Sequence, residues 1–97
     1  IHMKQNDLAL IKWIDEFAKQ GYVTINRGKH LPFLFDIKIF SMEGLHHLSI
    51  IRLDYRPDSY ECATACEDTN QVSDPVNLYT IEEVQEWCNK HRDFLDK

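Results

Sequence analysis

The chain has 97 residues, 43% of them hydrophobic and 11% aromatic, which is enough for one packed domain but not for a second lobe or an enclosed cofactor. Its formal net charge of −5 argues against a sequence-independent grip on nucleic acid, which needs clustered Lys and Arg. No apolar run approaches the roughly 20 residues that cross a bilayer, so the sequence predicts no membrane-spanning segment and no membrane contact.

The charge is distributed unevenly along the chain. Residues 1–53 hold five acidic and seven basic residues, a net charge of +2, whereas residues 54–97 hold eleven acidic and four basic residues, a net charge of −7. The excess of negative charge in the second half creates an electric field that favours association with a partner of opposite charge. The pattern therefore indicates a protein partner with a basic surface.

Processing signals and cysteine usage predict a cytoplasmic protein. Ile1 and His2 are typical of an expression-tag remnant in front of an initiator Met3, and we expect a single domain over residues 3–97 with no secretory signal. The three cysteines are an odd set, too sparse for a disulfide-stapled secreted scaffold. We expect them to be reduced thiols.

The first predicted element is an amphipathic helix over residues 6–20, with Leu10, Ile14 and Phe17 on its apolar side. Asn6 or Asp7 is the expected N-cap, and Gly21 is the expected left-handed stop. The alternating residues 22–26 that follow are typical of a β-strand, and residues 27–32 are typical of a loop.

The next two segments, residues 33–41 and 45–55, predict a β-hairpin around Met42-Glu43-Gly44. A turn with a left-handed Gly44 as a bulge pairs Ser41 with Leu45 and gathers six large apolar residues on one face. A plain two-residue turn at Glu43-Gly44 would instead place Arg52 beside Phe35, and a shift of one residue exchanges the two faces of a strand. The bulged register is our prediction.

A turn at residues 56–59, with Pro57 in its second position, predicts a fourth strand over residues 60–66. Residues 67–75 are polar and predict a loop, and residues 76–78 are a candidate short strand. The sequence Thr80-Ile81-Glu82-Glu83 is a capping box that opens a last helix. The predicted fold class is α+β, with an N-terminal helix, a three- to four-stranded antiparallel meander and a C-terminal helix (α-β-β-β-β-α).

This order of elements is similar to the topology of double-stranded-RNA-binding domains. Members of that family carry a basic patch at the start of the last helix, where it holds phosphates. The present chain has Glu82 and Glu83 at that place. We therefore expect no direct binding of nucleic acid.

Four residues have the chemistry of a structural zinc site: Cys62, Cys66, Cys88 and His91. If residues 60–66 form a strand, however, Cys62 and Cys66 lie about 13 Å apart, which is too far for one ion. The favoured interpretation is that the thiols fill the core, and a zinc or thiol protein is an alternative. The sequence has no glycine-rich phosphate loop and no oriented Cys-His pair, so we expect no enzyme activity, no cofactor and no metal.

Two surfaces are candidates for partner binding. The first is the outer face of the predicted sheet, with an apolar centre ringed by charge; its candidate residues are Lys38, Phe40, His46, Leu48, Ile50 and Arg52. The second is an acidic surface, whose candidate residues are Asp54, Asp58, Glu61, Glu67, Asp68, Asp74, Glu82, Glu83 and Glu86. The sequence leaves open whether a helix covers the outer sheet face.

These features favour a non-enzymatic protein-binding module. We expect a small acidic inhibitor, immunity or anti-defence protein of bacterial or phage origin, comparable to an anti-CRISPR protein, that docks on a larger protein such as a nucleic-acid-binding one. The alternative is a self-associating structural protein that dimerises through the sheet face or an edge strand. The predicted oligomeric state is accordingly a monomer or a homodimer.

Overall fold

A computed structural model describes the backbone of residues 2–97 and the side chains of residues 6–97. It confirms the α+β class: along the chain, an N-terminal helix is followed by the six strands of one antiparallel sheet and then by the C-terminal helices. The elements in chain order are α1 (His2–Ala18), β1 (Val23–Asn26), β2 (Phe33–Phe40), β3 (His46–Leu53), β4 (Arg56–Cys66), β5 (Gln71–Val72), β6 (Val76–Leu78), α2 (Ile81–Lys90) and α3 (Arg92–Leu95). The tag prediction for Ile1 lies outside the described residues.

Helix α1 begins earlier than the sequence pattern predicts. It starts at His2, so the prediction that Asn6 or Asp7 caps it is wrong, and Asp7 instead binds residues of the sheet. The predicted apolar side is confirmed, because Leu10, Ile14 and Phe17 are all buried. Gly21 has a positive φ of 119° and ends the helical segment, as expected from its freedom in left-handed conformations.

The sheet has the order β1-β2-β3-β4-β5, and β6 pairs with the same edge of β4 as β5 does. Residues 71–78 therefore form an interrupted edge along β4. The interruption contains Pro75, which lacks an N–H group and is tolerated where a ladder is broken at a sheet edge. The predicted strand at residues 76–78 is confirmed.

The predicted register of the β2–β3 hairpin is wrong by one residue from Phe35 to Phe40, whereas the predicted pairing of Phe33 with Leu53 is confirmed beyond an irregularity in the ladder. Ile37 pairs with Ile50 and Phe35 pairs with Arg52. The expected turn does form, because the Gly44 N–H donates to the Ser41 carbonyl and Gly44 has a φ of 78°. Ser41 nevertheless pairs with His46, whose N–H donates to the Ser41 hydroxyl, so the loop holds one more residue than expected. This extra residue exchanges the faces of β3.

The turn between β3 and β4 also differs from the prediction. It lies at Asp54 and Tyr55, directly before β4, and not at residues 56–59. The ladder pairs Ile50 with Cys62 and is irregular between Ile51 and Leu53. Pro57 falls within this irregular stretch, where a proline in a strand is tolerated. The prediction of an extended segment at residues 60–66 is confirmed.

The helices pack on one side of the sheet, which we call the inner face. Its core joins Phe35, Ile37, Ile39, Leu48, Ile50, Tyr60 and Cys62 of the sheet to Leu10, Ile14, Phe17, Val84, Cys88 and Leu95 of the helices. The predicted last helix is divided at His91 into α2 and α3. Among the described residues, every fully buried helical side chain belongs to this one core, so neither helical region covers the opposite face of the sheet.

Candidate functional site

The opposite side of the sheet, which we call the open face, carries a mixture of apolar and polar side chains. Alternation along the paired strands assigns its residues; they are Val23 and Ile25 of β1, Asp36, Lys38 and Phe40 of β2, His47, Ser49 and Ile51 of β3, and Glu61, Ala63 and Ala65 of β4. Most of these side chains are partly exposed. The open face is therefore a surface available for contact.

The changed register removes four of the predicted docking residues from this surface. Leu48 and Ile50 are completely buried in the core, and Arg52 is only 7% exposed on the inner face. His46, predicted to be solvated, packs edge-on against Phe94 of α3 with ring centroids 4.9 Å apart. The prediction that these four residues line an exposed face is wrong. Only Lys38 and Phe40 of that set lie on the open face.

A polar network crosses the open face around a buried carboxylate. Asp36 is 3% exposed, and it accepts hydrogen bonds of 2.9 Å from His30 Nε2 and from Lys38 Nζ. Lys38 Nζ also donates to Ser49 Oγ at 2.7 Å. Burial alone would raise the pKa of Asp36, but the bonds from Lys38 and His30 outweigh burial and lower it. Arg52, which was expected beside Lys38 on this face, pairs with Asp7 and takes no part in this network.

His47 lies at the other end of the open face, against the loop that follows β4. Its Nδ1 atom is 3.0 Å from Glu67 Oε1, and its ring packs on Phe40 with centroids 4.7 Å apart. Burial lowers the pKa of the imidazole, and the opposing attraction of Glu67 does not compensate. With its pKa lowered, the His47 imidazole supplies little positive charge to balance Glu67 at pH 7.

The predicted acidic residues are spread over the molecule and do not form one patch. Asp54 and Asp58 lie near the start of β4, and Glu67 follows its end, roughly 25 Å away along the strand. Glu82 and Glu86 are exposed on α2, in the helical layer. The Glu83 carboxylate accepts the Thr80 N–H and closes the predicted capping box. Within this set, Glu61 and Glu67 border the open face, and Asp68 and Asp74 lie in the segment that follows β4.

Cys62 and Cys88 occupy the core, as the core-filling interpretation predicts, whereas Cys66 is half-buried outside the core and its thiol donates to Asp68 Oδ1 at 2.8 Å. Cys62 and Cys88 are fully buried, and burial raises the pKa of both thiols, that of Cys88 to about 12. Thiols that stay protonated are poor nucleophiles. His91 Nδ1 donates to the Trp87 carbonyl at 2.8 Å. Among the residues the structure describes, no group of three or more Cys, His, Asp or Glu is placed to hold a metal ion.

A cleft of about 510 Å³ was not predicted from the sequence. It lies beside the start of β2, and Leu8, Ile11 and Phe35 form its apolar walls. At its base Arg52 forms an ion pair with Asp7, and Tyr60 donates a 2.5 Å hydrogen bond to the same carboxylate. No local signal in the sequence joins these residues, because Asp7 lies 45 positions before Arg52 and 53 before Tyr60.

Comparison of the chain with protein-family models, with curated proteins and with solved structures finds no match. In the part of the chain that the structure describes, no helix is both long enough and apolar enough to cross a membrane.

Proposed function

We propose that this protein is a small, non-enzymatic binding module of the cytoplasm that docks through its open face on a larger protein with a basic surface. The observation that carries the proposal is that both helical regions pack on the inner face and leave the open face uncovered. Its exposed centre mixes Phe40, Ile51 and Ala63 with charged neighbours. Apolar contact area with a polar rim is typical of protein interfaces.

The charge of the molecule supports a basic partner. The net charge of −5 is concentrated in residues 54–97, and Glu61 and Glu67 of that region border the open face. Complementary charge accelerates association and suppresses wrong partners more than it adds affinity. Proteins that bind nucleic acid present such basic surfaces, so an inhibitor or anti-defence role, of the kind performed by anti-CRISPR proteins, is the proposed biological setting.

The thiols support the cytoplasmic location. The structure leaves Cys62, Cys66 and Cys88 unpaired as free cysteines. A cytoplasmic compartment keeps such thiols reduced, whereas secreted domains of this size commonly use disulfides.

A pair of matched substitutions tests the docking surface. Ala63→Arg adds a bulky cation to the middle of the open face, and Ala9→Arg adds the same side chain to the exposed surface of α1. Immobilised wild-type protein should capture a basic protein from a lysate of the native host, and Ala63→Arg should lose at least 90% of that capture. The Ala9→Arg variant should retain it.

Circular dichroism and urea unfolding of both variants show whether each is folded. If both folded variants capture the same partner as strongly as the wild type, docking does not use the open face. If no basic protein binds the wild type in a direct calorimetric titration after capture, the proposed partner class is wrong.

A self-associating protein remains the second candidate, because strand β1 forms an unpaired edge of the sheet. Its outward side chains Val23 and Ile25 are each 45% exposed. An exposed apolar edge strand can pair with the same strand of a second copy. The oligomeric state in solution distinguishes this candidate from the docking module.

A further inference from the structure

A groove of about 430 Å³ runs across the open face beside β4. We call it the β4 groove; it is floored by Ser49, Ala63 and Ala65 and walled by Val72 and Pro75 of the interrupted edge. The depression exists because the three floor residues have short side chains, whereas their neighbours are larger. Its volume lies within the range of sites that hold a small ligand or a side chain.

The groove has an apolar floor and an acidic end. The Glu67 side chain lies at this end and is 51% exposed. Lys38 also lines the groove, but its charge is balanced by the 2.9 Å ion pair with Asp36. Because the His47 imidazole supplies little positive charge at pH 7, Glu67 is the described lining residue whose charge lacks an opposite charge within the groove.

From this geometry we infer that the β4 groove binds an arginine side chain of the basic partner protein. The methylene stem would lie on Ala63, Ala65 and Val72, and the guanidinium would meet the Glu67 carboxylate. This inference rests on the proposed docking function and specifies its central contact.

The chemistry of the groove favours arginine over other side chains. Arginine combines an apolar stem with five N–H donors and binds carboxylates through two parallel hydrogen bonds. It is also enriched among the few residues that supply most of the binding energy of an interface. A purely apolar side chain would leave the negative charge of Glu67 unbalanced, and lysine offers a point charge with a strongly hydrated head.

The test uses a short peptide and does not require the partner. The isotope-labelled full chain is titrated with N-acetyl-Gly-Arg-Gly-amide and with the same peptide carrying citrulline, which has the shape of arginine without its charge. Amide resonance shifts should concentrate at Ala63, Ala65, Glu67 and Val72. The citrulline peptide should bind about two- to fivefold more weakly, because it lacks the charge.

Three variants locate the contact. Glu67→Gln removes the charge and should weaken peptide binding about two- to fivefold. Ala63→Leu fills the groove and should also weaken peptide binding. Glu86→Gln removes an equivalent exposed charge from α2 and should leave binding unchanged. Shifts of equal size around Glu86, equal binding of the citrulline peptide, or unchanged binding by Ala63→Leu would each overturn the arginine site.

The two proposals fail in different ways. If Ala63→Arg abolishes capture of a basic partner while the arginine peptide fails to bind the wild type, docking stands and the arginine site is wrong. If the peptide binds in the groove while Ala63→Arg captures the partner normally, the arginine site does not serve docking, and both the inference in its stated form and the proposed docking face are rejected.

Discussion

At the scale of single residues, the most constrained group is the carboxylate of Asp7. It receives hydrogen bonds from Arg52 Nε at 3.2 Å and from the Tyr60 hydroxyl at 2.5 Å, although Tyr60 is completely buried. Burial raises the pKa of Tyr60, and the neighbouring Asp7 charge raises it further, so the phenol stays protonated and donates. These contacts fasten α1 to β3 and β4.

We predict that Tyr60→Phe lowers the free energy of unfolding by about 2 kcal/mol, because hydrogen bonds to charged groups contribute more than neutral ones. Phenylalanine retains the ring, which packs edge-on against Phe35 with centroids 5.3 Å apart, so the change isolates the hydroxyl. Urea unfolding measures the loss. The matched control is Tyr55→Phe, since Tyr55 is 71% exposed and its hydroxyl remains in water.

The Tyr55→Phe control should change the free energy of unfolding by less than about 0.5 kcal/mol, as is usual for surface positions. If Tyr60→Phe is as neutral as Tyr55→Phe, the Asp7 contact contributes no stability. If both substitutions lower the free energy of unfolding by the same amount, the cause is a general effect of removing a phenol from the β3–β4 region.

The Asp7 contacts also explain which residues sequence reasoning placed wrongly. A buried arginine is costly without a partner, so the pattern assigned Arg52 to a solvated face and Asp7 to a helix cap. The ion pair between Arg52 and Asp7, which are 45 positions apart in the sequence, offsets the cost of burying each charge. Such long-range pairing has no periodic signature, whereas the apolar side of α1 does and was predicted correctly.

At the scale of elements, the start of α2 is defined by reciprocal hydrogen bonds. The Glu83 N–H donates to Thr80 Oγ1 at 3.1 Å, and Glu83 Oε1 accepts the N–H groups of Thr80 and Tyr79. These bonds satisfy donors that a helix start otherwise leaves without partners. Glu83 therefore has a structural role that is separate from any acidic surface.

We predict that Thr80→Ala lowers the free energy of unfolding by about 1 kcal/mol, the usual cost of losing an N-cap side chain. Glu83→Gln should cost less, because the amide oxygen still accepts the Thr80 N–H. Urea unfolding followed by circular dichroism measures both. Thr69→Ala, at an exposed turn position, is the control and should be close to neutral.

If Thr80→Ala is as neutral as Thr69→Ala, the capping box does not stabilise α2 in solution. If Glu83→Gln costs more than Thr80→Ala, the charge of Glu83 matters more than its hydrogen bonds, and its interaction with the positive end of the helix would be the main contribution.

The helices and strands could be predicted from local sequence patterns, but the register in which the strands pair could not. The capping box and the turn at Gly44 are local signals, and both form as predicted. The register of β3 depends instead on whether Leu45 or His46 pairs with Ser41, and in the structure it is His46. That choice is settled by burial of Leu48 and Ile50 together with the Arg52 ion pair, which no window of neighbouring residues contains.

At the scale of the whole molecule, the central feature is one helical layer on one side of the sheet. The sequence predicted two helices with one apolar side each, which is compatible either with sharing one face or with enclosing the sheet from both sides. The contacts decide for the shared face, since Val84 and Cys88 of α2 join the same core as Ile14 and Phe17 of α1. An uncovered sheet face then becomes a property of the fold.

The exposed edge strand β1 is a place where two copies of the chain could pair. The short length of β1 argues against a stable dimer through this edge. The strand has four residues, which gives an edge about 13 Å long. A stable interface usually buries about 800 Å² on each partner, which is roughly an eighth of the 6021 Å² surface of this chain. The edge with Val23 and Ile25 supplies only a small part of that area.

We therefore predict a monomer of 11.5 kDa from micromolar to millimolar concentration, measured by light scattering coupled to size-exclusion chromatography. Ile25→Lys places a charge on the edge strand and should leave the mass unchanged. A mass that doubles with concentration, and that Ile25→Lys restores to the monomer value, would show pairing through β1. A doubling that persists in Ile25→Lys but disappears in Ala63→Arg would place the self-association on the open face, where it would compete with the proposed partner for the β4 groove.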